Sequence, residues 1–248
     1  MKKLLLILVA SFLLAAAAYA EQDDSALFFT PSVGYSKITQ KSGDADYELS
    51  ANAYMLNLEL EIISNGIAYH RLSLGHNFAD NSSQEYAGVK EDVEVKHAHA
   101  AYNVGVMNLS SFTGDFSLWT GMGWQGTKIS GEVLAGAEPE ATRMHYMYVP
   151  FGLELAMHHA GNSYWVIGSE YRLVMRGWEK YQGVNSSHPQ QSDMLAYSVW
   201  LGMDYMASNN RALTTRLSFD QWKVDSAMDD DLPGGNLKFI NLELGVRF

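Results

Sequence analysis

From Tyr54 to Ile62 the chain alternates Tyr54, Leu56, Leu58, Leu60 and Ile62 with Met55, Asn57, Glu59 and Glu61. A period of two belongs to an extended strand with one apolar face and one polar face. The two carboxylates place the polar face against a polar compartment, while the other face meets oil. The same two-faced pattern recurs along the chain, interrupted by glycine, asparagine and serine. It predicts ten strands, at about 26–39, 47–63, 67–78, 93–107, 115–127, 144–158, 163–176, 194–206, 212–222 and 237–248. Most of these exceed the roughly five or six residues of an ordinary globular strand and match the nine to eleven or so that a tilted membrane strand needs.

The connections alternate in length. Short links fall at Ser64-Asn65-Gly66, around Gly114-Asp115, at His159-Ala160-Gly161-Asn162 and from Ala207 to Arg211. Longer polar stretches fall between them, at 79–92, 128–143, 177–193 and 223–236, with 40–46 the shortest of that set. Short turns at one end and longer loops at the other are the habit of transmembrane barrels. The expected fold is therefore a ten-stranded antiparallel up-and-down transmembrane β-barrel, or eight strands if the weakly patterned first and ninth segments are not strands. Outward aromatics fall into two girdles: Phe29, Phe116, Trp165, Tyr205 and Phe248 toward the short-turn end, and Tyr35, Tyr54, Phe78, Trp124, Tyr197 and Phe219 toward the other. Aromatic rings favour the headgroup level of a bilayer. Tyr102 and Tyr171 fall near mid-strand.

Ahead of this pattern, Lys2 and Lys3 precede an apolar run from Leu4 to Ala18 that closes on Ala18-Tyr19-Ala20. This predicts a signal peptide over residues 1–20, cleaved before Glu21, and a single barrel domain over 21–248. Beyond residue 20 no stretch is apolar for long enough to make a membrane helix. The whole chain carries a formal charge of −11, and losing Lys2 and Lys3 makes it more acidic, which argues against a nucleic-acid partner. With no cysteine, disulfides, thiolate metal sites and cysteine nucleophiles are excluded.

The final segment, Phe239 to Phe248, sets Ile240, Leu242, Leu244, Val246 and Phe248 toward lipid and Phe239, Asn241, Glu243, Gly245 and Arg247 toward the interior. A last strand that closes the sheet against the first cannot fray without leaving unpaired edges in hydrocarbon. The terminal Phe248 behind Val246 and Leu244 resembles the C-terminal signal of bacterial outer-membrane barrels. With the leader and the strand pattern, the chain resembles the small outer-membrane β-barrel superfamily of Gram-negative bacteria. That resemblance implies an outer-membrane location, assembly by the barrel assembly machinery, and contact with outer-membrane lipid and lipopolysaccharide. It assigns no activity, since the superfamily spans adhesins, receptors, channels, structural proteins and enzymes.

Chemistry is concentrated on the polar parity, which carries Glu59, Glu61, Arg71, Glu154, Glu170, Arg172, Asp204, Arg216, Asp220, Glu243 and Arg247. A barrel of this size is little wider than one filled by its own side chains, so these groups are expected to form an ionic plug, because buried charges must pair. The alternative is a narrow path in which surplus carboxylates favour cations. Gly121, Gly123, Gly152, Gly168 and Gly202 share this parity and make room for bulky neighbours. His97 and His99 could supply two metal ligands, facing Gln125 and Gly123 in a regular hairpin, with no third ligand in view; polar lining is the plainer expectation.

Two hydrolase patterns are fragmentary. The stretch from His158 to Ser163, with Glu170 beyond it, distantly resembles the signature of outer-membrane lipid A deacylases, but no serine follows either histidine by two residues. Asp44 and Asp46, with His188 and Asp193, resemble the acidic outer rim of the omptin proteases, yet no Asp-x-His occurs. Asp229-Asp230-Asp231 could hold Ca²⁺ or the ions that bridge lipopolysaccharide; solvation is the simpler reading. The expected function is that of a non-enzymatic barrel without cofactor, acting through its outer loops, with a passive channel as the rival.

Overall fold

The computed structural model describes residues 25–42, 47–64, 67–86, 88–111, 114–131, 142–181, 184–186, 195–208, 211–224 and 235–248. The leader and its cleavage site, like the two Asp/His sets proposed for an omptin-like rim and the Asp229–Asp231 run, lie outside the described residues. The described chain is all strand and turn: β1 (Ser25–Ser42), β2 (Tyr47–Ser64), β3 (Ala68–Tyr86), β4 (Val89–Ser111), β5 (Gly114–Gly131), β6 (Thr142–Ala160), β7 (Ser163–Tyr181), β8 (Val184–Ser186), β9 (Leu195–Ser208), β10 (Arg211–Val224) and β11 (Gly235–Arg247).

Ten of these strands close into an antiparallel barrel. Each pairs with its neighbour in sequence, β7 pairs with both β6 and β9, and β11 returns to β1. The three-residue β8 pairs only with the outer end of β7. Closure is carried to the last residue, because Phe29 and Phe248 exchange both backbone hydrogen bonds, at 3.1 and 2.9 Å. The seam is interrupted just above, where Pro31 has no N–H to donate and the continuous β1–β11 ladder starts at Ser32 and Gly245.

Several strands run further outward than their alternation predicts. The expected loop at 79–92 is mostly hairpin, with β3 reaching Tyr86, β4 starting at Val89 and Gly88 taking the left-handed φ of 78° that the turn requires. The stretch 128–143 likewise begins as β5 and ends as β6, and β7 continues through 177–181. Above the membrane both faces of a strand meet water, so the apolar–polar contrast that reveals a strand in sequence disappears.

The outward face is apolar and exposed. Leu56, Leu201, Leu217, Leu242 and Leu244 each show about half of their surface, at 49–56 %. Tyr35, Tyr54, Phe78 and Tyr197 toward the loop end, and Phe29, Trp165, Tyr205 and Phe248 toward the short-turn end, are also exposed. Tyr171 is exposed at mid-strand, whereas Tyr102 is covered by neighbours in an outward cluster that includes Leu60, Leu72 and Trp124. Such a surface is stable only against acyl chains. We expect Leu217→Arg, on the outward face of β10 between Leu213 and Phe219, to cost about 2–4 kcal/mol in urea unfolding from lipid vesicles, and Gln221→Arg, nearer the outer rim, to cost less than about 1 kcal/mol.

Candidate functional site

All eleven charged residues singled out on the polar parity line one interior cavity of about 330 Å³. Register decides which of them meet. Glu61 on β2 sits directly opposite Arg71 on β3 and accepts hydrogen bonds from its Nε and Nη2 at 2.9 and 2.7 Å. The other oxygen of Glu61 takes Arg247 Nη2 at 2.9 Å, reaching across β1 from β11. Glu59 is 3.5 Å from Arg71 Nε. Arg172 binds Glu170 at 2.7 Å and Asp220 at 3.2 Å, and Arg216 holds Asp204 through two hydrogen bonds of 2.5 and 3.2 Å. Glu243 accepts from Ser32 and, at 3.0 Å, from Asn57.

The guanidinium groups also lie against rings. Arg71 is 5.2 Å from the centre of Tyr69 and 5.6 Å from that of Trp119; Arg172 is 5.5 Å from Tyr148 and 5.2 Å from Trp222; Arg247 lies 3.9 Å over Phe28. A planar, weakly hydrated cation tolerates an aromatic face and a carboxylate together, which an ammonium does less well.

Two rows of residues show why glycine recurs on this parity. Trp119, Gly152 and Glu170 are direct cross-strand neighbours on β5, β6 and β7. Trp200, Gly168 and Glu154 form the opposite row on β9, β7 and β6. Each indole lies across a glycine that has no side chain to obstruct it, and donates its N–H to the carboxylate beyond, at 2.9 Å for Trp119–Glu170 and 2.8 Å for Trp200–Glu154. The two indoles meet at 5.9 Å. A Cβ at Gly152 or Gly168 would collide with the indole.

Toward the loop end the interior changes character. Ile38, Leu49, Val95, Ile129, Tyr146 and Leu237 are buried there with Trp222 and Phe239 in one apolar cluster, to which every barrel strand contributes, β3 through Ala79. The expectation of a plug packed with charged and aromatic groups throughout is therefore too simple: the lumen is ionic below and hydrocarbon above. The signal was present on the polar parity, where Ser36 is followed by Ile38, Asp220 by Trp222, and Asn241 is preceded by Phe239.

The two histidines are placed at the boundary. His97 is buried, bonds Thr127 Oγ1 through Nδ1 at 2.9 Å and packs 4.6 Å from Phe239. His99 is 6.2 Å away, ring to ring. Their cross-strand partners are Thr127 and Gln125, two residues further along β5 than a regular hairpin gives, because the turn sits between Ser111 and Gly114 with an irregularity at Asn108. Among the described residues no group of three metal-binding side chains forms. At the short-turn end, His158 Nε2 is bonded to the Gly161 carbonyl oxygen at 2.9 Å in an exposed turn, while Glu170 points into the lumen, engaged by Trp119 and Arg172. The triad-like grouping does not assemble.

No family model and no curated protein matches this sequence. Solved structures that align with it include the translocator domain of the autotransporter NalP from Neisseria meningitidis, at 12 % identity over 97 % of this chain and 94 % of that one, with a TM-score of 0.49. The attachment invasion locus protein Ail of Yersinia pestis aligns at 12 % identity over 89 % and 98 %, TM-score 0.38, and an outer membrane channel from Pseudomonas putida F1 at 10 % over 92 % and 98 %, TM-score 0.37. These likenesses are distant. The barrel rests on this chain's own ladders, and its apolar outside and polar interior are those of an outer-membrane β-barrel.

Removing one member of the buried network should cost more than removing the whole triad of Arg71, Glu61 and Arg247. Arg71→Met leaves Glu61 facing the lumen with one partner fewer and is expected to destabilise the folded barrel by about 3–5 kcal/mol, with Glu61→Leu and Arg247→Leu added to it recovering most of the loss, since Glu61 is also the partner of Arg247; equilibrium unfolding in vesicles measures both. Gly168→Val should dislodge Trp200 from Glu154, seen as a loss of near-ultraviolet circular dichroism with the strand signal retained.

Proposed function

We propose that this protein is a non-enzymatic outer-membrane barrel with a sealed lumen, which acts at the cell surface through its outer strands and loops. The observation that carries the reading is the apolar cluster around Trp222 and Phe239. A closed ring of hydrocarbon across the bore is a barrier to ions even where polar space lies beneath it. The ionic network below then serves the wall: it ties β2, β3 and β11 together through Glu61, and β7 to β10 through Arg172. Assembly by the barrel machinery through the terminal Phe248 belongs to the same reading, as does a signal peptide that exports the chain.

A passive channel is the second reading, favoured by the cavity itself and by carboxylates that outnumber arginines along it. Conductance decides. In planar bilayers the purified barrel should be silent, and Trp222→Ala combined with Phe239→Ala should open a small cation-preferring conductance. Further replacement of Glu61 and Glu154 by glutamine should lower that preference. Steady conductance in the unaltered protein would end the sealed-lumen reading, and hydrolysis of lipopolysaccharide or a basic peptide, seen by mass spectrometry, would end the non-enzymatic one.

A further inference from the structure

The cations of this acidic chain are unevenly placed. After residue 20, four arginines occupy the lumen, Arg211 begins β10 at the short-turn end, and every other Lys and Arg lies toward the loop end of its strand. Four of these come into direct register on adjacent strands, with Lys96 on β4 opposite Lys128 on β5, Lys128 opposite Arg143 on β6, and Arg143 opposite Lys180 on β7. Cross-strand neighbours share a face, and like charges placed opposite one another are unfavourable unless something neutralises them. Glu94 meets Lys96 at 2.7 Å and also lies within electrostatic reach of Lys128, so one carboxylate is shared by two cations; among the described residues no direct ion pair joins Lys128 or Arg143 to an acid.

Below this row the same face turns aromatic. Trp124 and His145 stack at 5.8 Å with an interplanar angle of 22°, and Arg176 lies 4.6 Å over Trp178, which is opposite His145. Further into the membrane, Ala100 separates Leu74 from Trp124 across the row. Ala100 is itself nearly covered and packs with Ile62 and Leu72 in one outward cluster, whose partly exposed apolar surface is supplied by Leu60, Leu74, Tyr102 and Trp124.

We propose that the outer rim of β4 to β7 binds one molecule of a phosphorylated glycolipid of the outer leaflet. Its phosphates would lie among Lys96, Lys128 and Arg143, its sugars on the Trp124–His145 shelf, and an acyl chain along the apolar surface of Leu74 and Trp124. Charge complementarity selects an anionic headgroup. The position of the cations just above an aromatic girdle selects a lipid over a soluble anion, because only a lipid presents phosphate at that level with hydrocarbon beneath it. The proposal rests on the barrel's membrane orientation and not on the sealing of its lumen.

The test uses the full-length mature barrel in detergent, with lipid adducts counted by native mass spectrometry. Bis-phosphorylated lipid A is the probe, dephosphorylated lipid A and inorganic phosphate the comparisons. We expect one tightly held bis-phosphorylated molecule, at least about tenfold weaker binding in Lys128→Gln with Arg143→Gln, and less than about twofold change in Lys37→Gln, an exposed lysine of β1 four strands away. Dephosphorylated lipid should bind weakly, and inorganic phosphate should fail to displace the probe. Equal binding by the double variant, or by lipid without phosphate, would overturn the site; displacement by inorganic phosphate would assign it to a soluble anion and overturn the lipid. The variants lie on the outward face and leave the lumen untouched, so a conducting barrel that still bound lipid would retire the sealed-lumen reading alone.

Discussion

In hydrocarbon a backbone N–H or C=O has no water to bond, and each one left unpaired costs several kcal/mol. Everything else in this barrel follows from the closure that satisfies them. Closure explains why the chain keeps its alternation to the final residue and why Phe248 is held to Phe29 by two hydrogen bonds when chain ends usually fray. It also explains why the break in the seam at Pro31 is bounded on both sides by intact pairing. A proline inside a strand is tolerated when the ladder resumes at once, since only one donor is lost.

Closure fixes the bore, and the bore must then be filled. Ten strands leave an interior too wide to be filled by aliphatic side chains alone and too narrow for a broad aqueous pore. In the lower half the chain uses long side chains laid sideways: indoles across Gly152 and Gly168, guanidinium groups between rings and carboxylates. Charge serves here as length with a specific end-point, and the direction of each side chain is set by the carboxylate it must reach. In the upper half, rings and branched aliphatic groups fill the bore without any such partner. The two fillings differ in character: the lower surrounds a cavity lined by polar groups, and the upper is an apolar cluster.

How far the sequence reveals this depends on contrast between solvents. The wall was legible between the girdles because each strand there has oil on one side and a polar lumen on the other, so Leu56 and Asn57 differ as their surroundings differ. Which residues face inward followed from parity alone, and the eleven lumen charges are placed accordingly. Their partners were not legible, since Arg247 finds Glu61 across β1 and Arg172 finds Asp220 across β9, pairings that depend on register and barrel curvature. The outer ends of β3 and β4 vanished into an apparent loop because from Asp80 to Glu85 both faces are polar. The apolar seal was hidden by the opposite effect: Ile38, Trp222 and Phe239 sit on a parity already read as polar, where they look like exceptions until they are seen to converge.

The division of the interior constrains where the protein can act. On the sealed-lumen reading proposed above, chemistry in the lumen has no access to the cell surface, and the arginines there are committed to internal carboxylates. The cations left for contact at the outer surface are those of the outer rim, and on one side of the wall they stand above an aromatic shelf and an apolar cluster. A surface that must sit among charged lipid headgroups gains from matching them, because an ordered lipid layer around the rim also fixes the height and tilt of the strands that carry the loops. On the proposed reading the barrel's two faces do one job: the interior network stiffens the wall, and the rim holds that wall at a defined depth in the membrane.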